Sequence, residues 1–299
     1  MQPVTIIFNT QAGSGKNQKN VRKVIDFFQQ NRIEYRLFET LSIGHAVKLA
    51  HQAMDENQTH LIVAGGDGTL NEVINGIFSH PTRRDVKIGI LPIGTCNDFA
   101  QAAGLSLSLD KALETLMSGE PQRFDVAKIA DLYFINVAGI GFDVDIVETI
   151  SRHQKGRNFV TYLLAVFKII RQYRAGTYRI KTPDKALEGK MLLIAFANGR
   201  SFGGGFRIAP MADPQDGLLD IVILKDMPFI KRIVALLRIL NGSLDKCAET
   251  VTLSSDHISI DAEHPLKMQM EGELVQFTHK EITVDIVGHI KIIVPHRQV

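Results

Sequence analysis

The stretch His60-Leu61-Ile62-Val63-Ala64-Gly65-Gly66-Asp67-Gly68-Thr69-Leu70-Asn71-Glu72-Val73-Ile74-Asn75-Gly76-Ile77-Phe78 decides the fold. Its first five residues are a short apolar run, which predicts a buried strand. Past the glycines, Leu70, Val73, Ile74 and Ile77 recur at helical spacing, which predicts a helix over 69–78. Gly65 and Gly66 remove two Cβ atoms where the strand ends, so backbone amides there can approach a ligand closely. The helix points its N-terminus at the same place, which favours an anion such as phosphate. Thr69 adds a hydroxyl donor. A carboxylate at Asp67 would repel phosphate oxygens unless a cation bridged them, and Mg2+ is the natural ion. Spacing alone leaves a second reading open: an ordinary strand-to-helix turn with an acid near the cap.

Outward from this unit, strands and helices alternate. Strands are expected at 4–8, 35–39, 60–64 and 87–92, and helices at 20–31, 43–54, 69–78 and 109–117. Alternation of this kind implies a parallel, doubly wound sheet. Ligands bind such sheets at the carboxyl ends of the strands, and two further loops belong there. One is Leu91-Pro92-Ile93-Gly94-Thr95-Cys96-Asn97-Asp98-Phe99, which opens into a helix. The other runs from Asn9 through Gly13 to Lys16. It is not a Walker A loop: the first glycine is absent and Asn17 replaces the Ser/Thr after the lysine. Lys16 either meets a phosphate or is a solvated loop lysine.

After about residue 121 the rhythm changes. Strand-like runs dominate at 126–130, 132–137, 190–197, 219–224, 249–253, 257–262, 266–270, 282–286 and 290–294, which implies an antiparallel sandwich or barrel. Two helical stretches interrupt it, 159–174 and 229–240. The organisation expected is an α/β nucleotide-binding domain over 1–124 and a β-sandwich domain over 125–299, with the last strand free to return to the first.

The 299 residues are 45% hydrophobic, enough for two cores, and carry a formal net charge of +2, which does not advertise nucleic-acid binding. Two cysteines, Cys96 and Cys247, make no disulfide framework and fit a reducing cytoplasm. The apolar start at 4–8 is too short for a secretory signal core. The run 159–170 contains Lys168 and falls short of the roughly 20 residues a spanning helix needs. Histidines do not cluster, and no HExxH or CxxC pattern supports zinc.

The run Gly65-Gly66-Asp67-Gly68-Thr69-Leu70-Asn71-Glu72 resembles the signature of the diacylglycerol kinase catalytic family, shared with sphingosine kinases and, in its GGDG core, with NAD kinases. Residues 92–99 resemble the family's GTxNDFA element. Further matches are Ala138-Gly139-Ile140-Gly141-Phe142-Asp143, Ala197-Asn198-Gly199 with Gly203-Gly204-Gly205, and Ala209-Pro210 through Asp216-Gly217-Leu218-Leu219-Asp220. They span nearly the whole chain and are most similar to the short bacterial diacylglycerol kinases and YegS-like lipid kinases. The later elements are not typical of NAD kinases. Thr10 stands where the family has Pro, and Cys96 where Ala is common.

The resemblance implies a two-domain kinase with ATP in the cleft between its domains. Nucleotide contacts would fall on Asn9 and Gly13, on Thr40, on Gly65, Gly66, Asp67, Gly68, Thr69, Leu70 and Asn71, and on Thr95; Lys16, read from its own loop, joins the candidates. Met270-Glu271-Gly272-Glu273 resembles the family's DGE element, with Glu271 in place of Asp and Glu273 at the position of the proton acceptor. Read without the family, Glu-Gly-Glu is a hairpin turn. The acidic turn at 213–218 matches a loop that holds Mg2+ through the Asp216 side chain and the carbonyls of Asp213 and Leu218. Asp125 matches an acidic position at the domain junction.

The helices 159–174 and 229–240 mix large apolar residues with Lys and Arg, as do the flanking Arg152 to Arg157. Each either lies on anionic lipid or packs on the sandwich with a solvated basic face. The function expected is a cytoplasmic ATP-dependent and Mg2+-dependent kinase acting on a lipid hydroxyl, reached by peripheral contact with the inner membrane face. A soluble acceptor or a non-catalytic nucleotide-binding regulator is the rival. A homodimer is left open.

Overall fold

The computed structural model describes residues 3–12, 18–82, 85–152 and 159–296. In chain order the elements are β1 (Val4–Phe8), α1 (Gln18–Gln30), β2 (Tyr35–Glu39), α2 (His45–Asp55), β3 (His60–Gly65), α3 (Asp67–Ser79), β4 (Lys87–Pro92), α4 (Asp98–Ala102) and α5 (Leu109–Ser118). There follow β5 (Glu120–Ile129), β6 (Leu132–Phe134), β7 (Val137–Gly141), α6 (Phe142–Arg152), α7 (Phe159–Gln172), β8 (Gly176–Lys181), β9 (Ala186–Ala197) and β10 (Leu219–Lys225). Last come α8 (Phe229–Asn241), β11 (Thr250–Ser255), β12 (His257–Ala262), β13 (Lys267–Met270), β14 (Glu273–Gln276) and β15 (Glu281–Val294).

The chain divides into two compact units: residues 1–126, 131–135 and 287–299 form the first, and 127–130 with 136–286 the second. In the first unit the strands run β15-β4-β3-β1-β2, and every pair is parallel. Strands β1, β3 and β4 are buried along almost their whole length because helices cover both faces. Ile7, Leu61, Val63, Ile88 and Ile90 face α2 and α3, while Ile6, Phe8, Ile62, Ala64 and Leu91 face α1 and α5. This is the doubly wound arrangement that the alternation implied. Gly76 sets the closeness of α2 and α3: a Cβ there would lie 2.6 Å from both the Ala50 Cβ and the Val47 carbonyl oxygen.

In the second unit the long strand β9 is central. It pairs antiparallel with β8 along residues 186–191, with β7 along 193–197, and with β10 on its other edge. β12 joins β8 to the first half of β15, and β13 carries the β14 hairpin onto β7. The result is an antiparallel β-sandwich. Its core packs Phe142 and Ile146 of α6, Val166 and Ile170 of α7, and Ala235, Leu236 and Ile239 of α8 against Leu193, Ala195, Val222 and Leu224.

Three differences from the sequence expectation matter. Residues 282–286 and 290–294 belong to one strand, β15, which continues through Gly288 at φ +144°, a dihedral that glycine tolerates. The segment 142–152 is a helix; its alternating Phe142-Asp143-Val144-Asp145-Ile146 hid the helical period behind a buried acid. Residues 176–181 form a strand, β8, that the sequence pattern left unassigned.

Candidate active site

The first site is built where β3 and β4 end. The loops that follow them cross at two glycines. A Cβ on Gly94 would lie 2.3 Å from the Gly66 Cα, and one on Gly65 would lie 2.5 Å from the Thr69 Cβ. Backbone N–H groups of Ile93 and Gly94 donate to the Gly65 carbonyl at 3.1 and 3.2 Å. Glycine at 94 is therefore demanded by the crossing, and glycine at 65 by the turn into α3, where Thr69 lies. Gly68 differs: nothing lies within 4 Å of a Cβ placed there. The N-cap residue of α3 is Gly66, which brings no side chain to cover the first turn.

Asp67 joins the two loops. Its Oδ2 accepts the Asp98 N–H at 3.1 Å and its Oδ1 the Phe99 N–H at 3.0 Å, so it caps α4 from a neighbouring element. Glu72, one turn further along α3, does the same for α2: its carboxylate accepts the N–H groups of Gly44 and Ala46 at 2.8 and 3.0 Å. Both acids of the GGDGTLNE run are thus helix caps. Asn97 stands at φ +52° and folds its amide back onto the second loop, donating to the carbonyls of Pro92 and Gly94 and accepting the Gly94 N–H. That accounts for the asparagine of the GTxNDFA element.

The remaining nucleotide candidates gather around these loops. Asn9 donates from Nδ2 to the Thr69 Oγ1 at 2.9 Å, and the Thr69 hydroxyl keeps its own proton to donate elsewhere. The Asn9 N–H reaches the Ala64 carbonyl, and the buried Thr40 holds the Phe8 carbonyl through its N–H. Thr95 is exposed. Leu70 is a core side chain, so only its backbone is available to a ligand. Asn71 accepts from Asn75, which also pins Tyr133 of β6. Burial, with Asp98 and Asp67 nearby, pushes the Cys96 thiol up, so it stays protonated at neutral pH. Gly13 and Lys16 lie outside the described residues.

The second site belongs to the β-sandwich unit. Glu271 at φ +54° and Gly272 at φ +81° make a two-residue turn between β13 and β14, and Glu273 is the first residue beyond it. The hairpin reading of Glu-Gly-Glu is therefore observed, and Glu273 is exposed on it. The turn is held on two sides. Asn136 donates its N–H to Glu271 Oε1 at 2.7 Å, and Glu271 donates its own to the Val137 carbonyl. Gly272 donates to Gln269 Oε1 at 3.0 Å. The Asn136 carbonyl accepts the N–H groups of Asn198 and Gly199, and a Cβ on Gly199 would collide with Asn136 Oδ1.

The acidic loop before β10 is a pair of Asp-centred turns. Asp213 Oδ1 accepts the Gln215 N–H and Asp216 Oδ1 the Leu218 N–H, with Gly217 at φ +79°. Asp213, Asp216 and Leu218 are all exposed. Their donors are oxygen alone, one carboxylate with backbone carbonyls, which fits a hard cation that keeps most of its water. Among the described residues no group of three or more His, Cys, Asp or Glu side chains stands ready for an ion.

Sequence reasoning assigned no role to Asp143, Gln269 or Asn136, although Asp143 closes a quoted element. All three are buried behind the Glu271-Gly272 turn. The spacing of Gly139 and Asp143 was the available signal: two glycines and an acid in a buried segment ask what the acid faces.

Glycine-crossed loops at the end of a parallel sheet, in a chain that continues into a β-sandwich, define a protein of the two-unit α/β and sandwich class. Comparison with known proteins identifies it further. Residues 3–129 match the family model of the diacylglycerol kinase catalytic domain, and residues 136–290 that of the YegS C-terminal NAD kinase beta sandwich-like domain. The chain is 27% identical to a diacylglycerol kinase of Bacillus subtilis, over 99% of this chain and 97% of that one. It is 30% identical to a probable lipid kinase YegS-like of Serratia proteamaculans, over 94% and 91%. A crystal structure of a diacylglycerol kinase of Bacillus anthracis superposes with a TM-score of 0.74 at 22% identity, covering 100% of this chain and 98% of that one, which is a likeness of fold. The chain belongs to the diacylglycerol kinase and YegS-like family and is a lipid kinase.

Proposed function

We propose that the chain transfers the γ-phosphoryl group of ATP to the hydroxyl of a glycerolipid, with diacylglycerol as the leading acceptor. The observation that carries the nucleotide half is the open first turn of α3. Gly68 faces free space there, and Gly66 before it brings no side chain to cover the first turn. Such a turn favours phosphate oxygens. Asn9 reaches it through the Thr69 hydroxyl, and Thr40, Asn71, Thr95, Gly13 and Lys16 belong to the same proposal.

Glu273 is proposed as the base. It accepts the proton of the acceptor hydroxyl as the acceptor oxygen bonds to the γ-phosphorus and the bridging P–O bond to ADP breaks. Asp67 acts here by holding the loops. Asp216, with the carbonyls of Asp213 and Leu218, would hold Mg2+; bound there, the ion supplies positive charge to the second unit.

The acceptor is met at a lipid surface. No helix among the described residues is long and apolar enough to cross a membrane. Helix α8 instead exposes Ile230, Val234 and Leu237 at 75%, 44% and 57%. Beside it Phe167 of α7 stacks edge-on against Phe229 at 5.4 Å. Helices α7 and α8 contain no acid, and they carry Lys168, Arg171 and Arg238. Each basic residue adds about 1 kcal/mol on anionic lipid. Arg232 is excluded from that role: it staples α8 to α7 through the Ile170 and Tyr173 carbonyls and pairs with Asp226.

Incubation with labelled ATP and a panel of diacylglycerol, phosphatidylglycerol, sphingoid and polyprenol acceptors, followed by solvent extraction, tests the reading. Label in the organic phase supports it. Label confined to a soluble acceptor, or ATP binding without transfer, favours the rivals.

A further inference from the structure

A buried acid stands behind the turn that presents Glu273. Asp143 is 2% exposed and Gln269 is fully buried. In the β7–β13 pairing Gln269 lies opposite Gly139, and Asp143 follows Gly139 by four residues. The two side chains fill the space that a side chain at 139 would occupy: a Cβ on Gly139 would lie 2.1 Å from Asp143 Oδ2 and 3.1 Å from Gln269 Nε2. The two ends of the Gln269 amide therefore face different partners. Oε1 accepts the Gly272 N–H at 3.0 Å. Nε2 has no hydrogen-bond partner at good geometry, and neither carboxyl oxygen of Asp143 has one. The sealed Gln269 amide N–H has the adjacent Asp143 carboxyl as its acceptor, and the Val144 N–H is the carboxyl's second donor.

We propose that Asp143 is a positioning residue for Glu273: it fixes the Gln269 amide with Oε1 toward Gly272, and so fixes the turn from which Glu273 projects. A flipped amide would set Nε2 against the Gly272 N–H, donor against donor, and release the turn. This rests on the reading of Glu273 as the base. Burial pushes the Asp143 carboxyl up to about 7, against the donors of Val144 and Gln269. The charged or titratable groups facing it are Asp145 on α6, Tyr173 after α7 and Tyr178 on β8, and none of them supplies a positive charge. The acid thus sits behind the hairpin with the Gln269 amide as its donor and no cation to claim it.

The test uses the full chain and two readouts. In wild type the Gly272 amide is protected from hydrogen exchange. In Asp143→Leu it exchanges at least tenfold faster while the amides of β9 keep their protection, and kcat falls at least tenfold with the KM for ATP within twofold. Asp143→Asn, which keeps an acceptor oxygen in place, restores both. Unchanged Gly272 protection in a folded Asp143→Leu, or a failure of Asp143→Asn to restore it, overturns the proposal. If Asp143→Leu does not fold, Asp143→Ala, which also removes the carboxyl acceptor, replaces it: faster Gly272 exchange supports the proposal and unchanged exchange overturns it. If wild type phosphorylates no acceptor, the kinase reading fails, and the exchange measurement still decides whether Asp143 holds the turn.

Discussion

Asp67 Oδ1 accepts the Phe99 N–H at 3.0 Å, so the acid of the first glycine-rich loop holds the helix that opens from the second. Its other oxygen takes the Asp98 N–H, and no cation is needed to explain why a carboxylate stands at this turn. Asp67→Ala removes both acceptors. It is expected to cost about 1–2 kcal/mol in urea unfolding and to weaken ATP binding by loosening the loop crossing. Glu72→Ala, which uncaps α2, should cost a similar amount and leave ATP affinity within about threefold, because Glu72 faces the α2 N-terminus.

The glycines of the crossing separate structural from ligand constraint. Gly94→Ala would put a Cβ 2.3 Å from the Gly66 backbone, so it should lower both stability and ATP affinity. Gly68→Ala meets nothing within 4 Å and lies inside α3. It should stabilise the free protein by about 0.5–1 kcal/mol, since alanine is the better helix former, yet weaken ATP at least tenfold by crowding the phosphates. Calorimetric titration alongside thermal unfolding checks both.

The raised Asp143 gives a signed pH effect. Between about 4 and 7 the folded state holds a proton on Asp143 that the unfolded chain has released. Its contribution therefore favours folding at the acid end and is lost as pH rises through 7. His60 opposes it: burial, with Lys87 nearby, lowers its imidazole to about 4, so stability from His60 falls as pH drops below the unfolded value. Comparing Asp143→Asn with wild type cancels the His60 effect. The stability of the variant relative to wild type should rise from about pH 4 to pH 7 and level off above it in denaturant titrations.

The apolar ridge of α8 makes a further prediction. Ile230→Asp combined with Leu237→Asp should reduce binding to phosphatidylglycerol vesicles at least tenfold while sparing activity on acceptor dispersed in detergent. Vesicle binding that is unchanged, with a halved sedimentation mass, would instead assign the ridge to contact between two copies of the chain.

Much of the architecture was legible because its causes are local. Strands β2 and β4 fall on their expected residues, since short apolar runs bounded by turn residues have few alternatives. The Gly66–Gly94 crossing was half legible: the sequence placed both loops at the strand ends, but their backbone contact depends on tertiary packing. The reading of Asp67 toward a cation rested on its place in a phosphate loop; its partners within the fold, the Asp98 and Phe99 amides, lie 31 and 32 residues away and left no local signal. Helix α6 and the Asp143–Gln269 pair stayed hidden for a related reason. A buried acid at 143 breaks the apolar period, and what it faces is set by a β7–β13 register that no local pattern encodes.

Glu273→Gln tests the central claim most directly. Wild type and variant are incubated with labelled ATP and diacylglycerol in mixed micelles, with ATP affinity measured in parallel. The account predicts labelled phosphatidic acid from wild type, a loss of at least a hundredfold in kcat for the variant, and ATP affinity unchanged within twofold. A variant that phosphorylates the lipid at the wild-type rate would contradict it.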